Sequence, residues 1–184
     1  MTRGVALSLV LAAAGCAAPS TRVSKTAEGV RLSSYARIGV MPFGGSSADP
    51  DAVAEELAKR LFRMRYSVVY GRQLRAALSQ LGVQKGDSIG DRTLRELRRM
   101  TQIDALIVGA LDCGSRSRLP RASALLIDAN DNRILFETRF EPKECSSHEA
   151  PARVAEEISA ALREALGREG KREMDFGLGL GTED

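Results

Sequence analysis

Apolar residues along the chain alternate between two periods, and the switches between them outline one α/β domain. Arg37–Phe43 (RIGVMPF) is a short apolar run closed by Pro42 and Gly44-Gly45, which predicts a strand. Asp49-Pro50-Asp51 then opens a helix, with Asp49 as N-cap and Pro50 in the first turn. Val53, Leu57, Leu61 and Met64 recur at helical spacing with charges between them. Tyr66–Tyr70 predicts a second strand. A helix with Leu74, Ala77, Leu78 and Leu81 on one face follows and ends at Gly82. Asp91 is expected to cap a third helix that turns Leu94, Leu97 and Met100 inward. Ile103–Leu111 is the most apolar run of the mature chain and predicts a central strand. Ala122–Asp128 and Arg133–Phe140 alternate around Asn130-Asp131-Asn132, a hairpin pattern. A last helix over Pro151–Leu166 carries Val154, Ile158, Ala161, Leu162 and Ala165 as its stripe. The order β-α-β-α-α-β-β-β-α predicts an α/β fold: parallel crossovers first, an antiparallel meander after, and helices packed on a mixed sheet.

The two ends lack such periodicity. Residues 1–15 read as an export signal. Arg3 and the free amine are followed by an apolar stretch, Val5 to Ala14, too short to span a bilayer. The stretch ends Ala13-Ala14-Gly15-Cys16, small residues before a cysteine, as in the lipobox of bacterial lipoproteins; Ala13 stands where Leu is usual. That resemblance implies cleavage before Cys16 and lipidation of its thiol and new amine. Three acyl chains, at about 0.8 kcal/mol per buried CH₂, anchor far better than one. Ala17 rather than Asp after the cysteine points to the outer membrane, with the domain on the periplasmic face. An ordinary signal peptide with Cys16 incidental is the competing reading. Residues 16–34 are then the lipidated cysteine and a flexible tether, 35–166 a single α/β domain, and 167–184 a disordered tail.

Composition narrows the function. The chain of 184 residues suits one domain, and 43% apolar residues suffice for a core. Aromatics are only 4% and Trp is absent, against a stacking platform for nucleic acid. Without Arg3 the mature chain has 26 basic side chains against 24 acidic, a near balance that points away from general electrostatic binding. Nucleic acid is therefore not an expected partner, and no cofactor is implied.

Candidate chemistry is sparse. If lipid consumes Cys16, Cys113 and Cys145 remain as an even pair in an oxidising compartment. A disulfide between them needs both to lie on loops that curl together, because strands flanking a middle strand are about 9.6 Å apart. Two buried thiols or a redox pair are the alternatives. Gly44-Gly45-Ser46-Ser47 invites a phosphate-loop reading and lacks its Gly-Lys-Ser/Thr ending, so a flexible turn competes with a ligand loop. His148, the only histidine, suits a helix start before Pro151. One histidine and two separated cysteines do not make a zinc site. Asp128, Asn130, Asp131 and Asn132 resemble part of a calcium loop, but the following Gly and the Glu are missing, so a hairpin turn is expected and no metal. Arg92, Arg95 and Arg99 share a helix face, while Arg116, Arg118 and Arg121 cluster in a loop. Each group is either a solvated face or a patch for an acidic partner: lipid headgroups, anionic polysaccharide or protein.

Five segments in order resemble the family that includes the curli-secretion (CsgG-like) lipoprotein and the amino-terminal domain of TolB. They are Arg37–Phe43; Ala54-Glu55-Glu56-Leu57 through Leu61; Val68–Leu74; Gln102–Gly109; and Leu126–Leu135. The resemblance spans roughly residues 35–166. It implies a non-catalytic, membrane-anchored adaptor or scaffold for an envelope machine in secretion, polysaccharide export or regulation of peptidoglycan synthases. It implies an envelope protein partner and a homo-oligomeric ring. The long alternating insertions that build the curli channel's barrel have no counterpart here, so pore formation is not expected. The alternative is an envelope hydrolase or small-ligand-binding domain using the Gly44–Ser47 turn.

Overall fold

The computed structural model describes residues 22–46, 49–83, 89–114, 119–143, 145 and 147–177. They form strands β1 (Val23–Thr26), β2 (Arg37–Val40), β3 (Ser67–Tyr70), β4 (Ala105–Asp112), β5 (Arg121–Asp128) and β6 (Ile134–Phe140). The helices are α1 (Pro50–Arg63), α2 (Gly71–Gln80), α3 (Asp91–Thr101) and α4 (Ala150–Gly177). The sheet order is β1-β6-β5-β4-β2-β3. β2 pairs parallel with β3 and β4, while β4, β5, β6 and β1 pair antiparallel. This is the mixed α/β arrangement that the periodicity predicts.

Chain handedness explains the layers. The step from β2 to β3 goes one way along the sheet, and the step from β3 to β4 returns past β2. Right-handed crossovers therefore place α1 on one face and α2 with α3 on the other. Two cores follow. Val53, Leu57 and Leu61 of α1 and Val154, Ile158 and Leu162 of α4 pack on Ile38, Ile107, Leu126 and Phe136. Leu74 and Leu78 of α2 and Leu94 and Leu97 of α3 pack on Val69, Ile103 and Leu106.

Local chemistry fixes the ends. The Asp49 carboxylate accepts from the Ala52 N–H at 3.0 Å, capping α1 with Pro50 in its first turn. Gly109 lets β4 approach the Phe43 ring: a Cβ there would lie 2.2 Å from the ring edge. Gly45, at φ +98°, runs so close to β4 that a Cβ would meet the Leu111 carbonyl oxygen at 2.4 Å.

Four expectations need correction. The stretch expected as tether up to residue 34 includes folded structure: Val23–Thr26 is an edge strand on β6, and Leu32 in a short 3-10 turn is buried in the core. Residues 167–177 belong to α4, which continues to Gly177; residues 178–184 lie outside the described residues. In α3, Asp91 is the first residue and Gly90 the cap, and Met100 is exposed rather than turned inward. The central strand starts at Ala105, with Ile103 spent on the α2–α3 core.

Candidate functional site

Two carboxylates inside the resemblance motifs, Asp104 and Asp128, hold neighbouring backbone in place. Asp104 accepts from the N–H groups of Ala36 and Arg37 at 3.0 and 2.8 Å, fixing the start of β2. Its own backbone bonds Arg37 on one side and Ala129 on the other. Asp128 accepts from the Asn130 N–H at 2.7 Å and from the Tyr35 hydroxyl at 2.8 Å. Burial, then the hydrogen bond to Asp128, pushes the Tyr35 phenol above its ordinary value, against a smaller opposing effect of Arg133. The sequence places Asp128 in a turn and carries no sign of its tie to Tyr35. It gave Asp104 no role, because a carboxylate that caps a neighbouring strand leaves no periodic signal.

The Gly44–Ser46 turn is committed to β4. Gly44 donates to the Gly109 carbonyl at 2.8 Å and accepts from the Leu111 N–H at 2.9 Å, a parallel bridge opposite Ala110. The Ser46 hydroxyl donates to Asp112 at 2.8 Å and accepts from the Cys113 N–H at 2.9 Å. Both capacities of that hydroxyl are used in holding the loop after β4. Over its described residues, Gly44–Ser46, the turn therefore works as a strand extension. Ser47 lies outside the described residues.

Cys113 follows β4 and Cys145 follows β6, the two strands that flank β5, and their loops curl together. They are joined in a disulfide with a Cα–Cα distance of 5.2 Å. The bond ties the exit of the central strand to the segment leading into α4. Beside it runs a groove lined by Asp49, Glu55, Glu56, Lys59, Cys145 and His148. His148 is exposed in the turn before α4. Among the described residues, no group of three or more His, Cys, Asp or Glu side chains is placed to hold a metal ion.

The arginines divide between the two ends of the sheet. Arg92, Arg95 and Arg99 are exposed on α3, where Arg99 pairs with Glu96 at 2.8 Å. α3 lies beside the β5–β6 turn: Asn132 donates to Asp91, and Arg98 donates to Asn130 at 2.8 Å. Arg121 opens β5 at the opposite end, seven residues from Asp128, about 23 Å at strand rise. Arg116 and Arg118 lie outside the described residues. The α3 group and Arg121 thus do not join into one patch.

Helices α2 and α3 cover only the β3-β2-β4 part of their face. Across β4-β5-β6-β1, the same face presents Val108, Ala110, Ser123, Leu125, Glu137, Arg139, Val23 and Lys25. Glu137 and Arg139 form an ion pair there.

Comparison with solved structures places this architecture. It resembles PelC. A point variant of the PelC dodecamer from Paraburkholderia phytofirmans matches with TM-score 0.50 at 12% identity, over 78% of this chain and 96% of PelC. The LpoB C-terminal domain from Escherichia coli matches at 0.48 and 17% identity, over 64% and 88%. Lipoprotein GNA1162 from Neisseria meningitidis matches at 0.45 and 17%, over 71% and 96%. At these identities the likeness to PelC is one of fold. No known sequence family and no curated protein matches the chain.

Proposed function

We propose that the chain is a non-catalytic lipoprotein, anchored through Cys16 to the periplasmic face of the outer membrane, that serves an envelope machine as adaptor or scaffold. The observation that carries this reading is the distribution of the three cysteines. Cys113 and Cys145 are joined to each other, which suits an oxidising compartment, and Cys16 is left at the end of the apolar leader. Secretion, polysaccharide export and regulation of peptidoglycan synthases are the processes that the sequence resemblance offers.

The similarity of fold to a dodecameric protein supports assembly of this chain into a ring. Among the described residues, the part of the sheet beyond α2 and α3 and the exposed Arg92, Arg95 and Arg99 of α3 are surfaces for contact with a neighbour or an acidic envelope partner. The test is crosslinking in intact cells followed by identification of what is bound. Sedimentation of the delipidated domain comes alongside. A shared partner in the envelope or a defined ring supports the reading; a strict monomer that crosslinks to nothing at the membrane contradicts it.

A further inference from the structure

We propose that the free edge of β3 docks an extended, acidic segment of a partner protein, which adds to the sheet as a further strand. This gives the adaptor role proposed above a partner-binding surface, and it rests on that reading for the partner's place in the envelope. Among the described residues nothing pairs with the outer flank of β3, the last strand of the sheet. The Ser67 N–H donates to the Ala36 carbonyl at 2.9 Å, on the β2 side. Backbone groups alternate between the two flanks of a strand, so Val69 also bonds β2, while Val68 and Tyr70 turn theirs outward. Tyr70 is still extended, at φ −151° and ψ 179°, where it caps α2. The N–H and carbonyl of Val68 and the N–H of Tyr70 therefore make an open ladder, which an added strand completes.

Two exposed aromatic side chains border this ladder. Phe62 is 71% exposed and Tyr70 39% exposed. Tyr70 shares the α1 face of the sheet with Val68, which packs on the core there. Phe62 stands two residues after Arg60, which reaches α4 at Ala152 and Glu156. Two residues turn a helix by about 200°, so Phe62 points away from α4, toward the β3 side. Asp51 lies on nearly the same line of α1 and pairs at 2.8 Å with Arg75 of α2, the helix behind β3, so this line borders the β3 end of the sheet. The acids of that line are spent, Asp51 on Arg75 and Glu55 on Lys59. Exposed Arg63, Arg65 and Arg72 at the two ends of β3 have no acidic partner among the described residues. The edge therefore offers backbone groups, apolar contact and uncompensated positive charge to one incoming strand. A second copy joined through its own β3 would bring the same arginines together. The opposite edge, β1, presents exposed Lys25, and an edge lysine opposes strand joining. Charge thus selects a foreign acidic strand over a copy of this chain.

The test selects a displayed library of random peptides, about ten residues long to match a strand, on the full-length mature chain. Enriched peptides are expected to alternate apolar with other residues and to carry net negative charge. Once bound, they should slow hydrogen exchange at the Val68 and Tyr70 amides by about tenfold or more and leave the amides of α3 unchanged. This readout needs no variant. Phe62→Ala, and separately Arg63→Glu with Arg65→Glu, should each weaken binding by about tenfold, with an unchanged melting transition. Arg92→Glu with Arg95→Glu should leave binding as it is. Failure to enrich any peptide, enrichment of lysine-rich peptides, or protection elsewhere than β3 overturns the proposal. So does protection of Val68 and Tyr70 that grows with concentration in the chain alone, which would make a second copy the occupant. If the edge takes no peptide while crosslinking in cells still finds an envelope partner, strand addition fails and the adaptor reading stands. If peptides bind at β3 while nothing in the envelope crosslinks to the chain, the adaptor reading fails and the docking edge stands.

Discussion

At the scale of single residues, a few polar groups hold the strand ends. Replacing Asp104 with Ala leaves the N–H groups of Ala36 and Arg37 without their acceptor. The expected loss is about 1–3 kcal/mol in urea unfolding. Gly109→Ala drives a methyl into the Phe43 ring. It should destabilise by about 1–3 kcal/mol, whereas Gly167→Ala, with open space around it inside α4, should stabilise by up to about 1 kcal/mol. Tyr35 and Tyr66 both titrate above their ordinary value, each chiefly through burial. A phenol with a raised folded value favours the folded state fully below the unfolded value of about 10. That contribution is lost as pH rises through the folded value. Stability measured by denaturant between pH 9 and 11.5 should therefore fall, and the fall should flatten in the double variant Tyr35→Phe, Tyr66→Phe. These roles were only partly legible in the sequence. Asp49 was, because a cap and Pro50 sit beside the helix they start. Asp104 was not, because its acceptor role lies in Ala36 and Arg37, far along the chain.

At the scale of elements, the helices and inner strands were legible because each buries a periodic apolar stripe. β1 was not: Val-Ser-Lys-Thr needs no apolar alternation at a sheet edge, where one flank pairs with β6 and Ser24 meets Thr138 at 3.0 Å. The extension of α4 was hidden by Gly167 and Gly170. Each costs a helix about 1 kcal/mol, and a helix already nucleated gains a hydrogen bond with every added residue. The extension also has a partner, since the Ser33 hydroxyl donates to Glu169 at 2.9 Å. Truncation after Leu166 should consequently lower the melting temperature, an effect that loss of a disordered tail would not produce. The disulfide joins two cysteines 32 positions apart in sequence. Reduction, or Cys113→Ala with Cys145→Ala, should cost roughly 3–4 kcal/mol in denaturant unfolding.

At the scale of the whole molecule, the fold assigns different work to the two ends of the sheet. One pole gathers the disulfide, the Gly44–Ser46 turn and the arrival of the chain; the other carries α3 and its arginines. The sequence alone could group Arg92, Arg95 and Arg99, because helical spacing is local. It could not show that Arg121 stands at the other end of β5, about 23 Å along the strand from Asp128, because strand topology is not. The partner, the ring and the pathway have no local signature, and they rest on surfaces whose occupants must be found by experiment. The proposed role depends first on the anchor. Cells producing the native chain and the Cys16→Ser variant are fractionated, and the membranes are washed with alkaline carbonate. The native chain should remain with the membrane pellet and the variant should be released; a variant retained as well as the native chain would contradict the account.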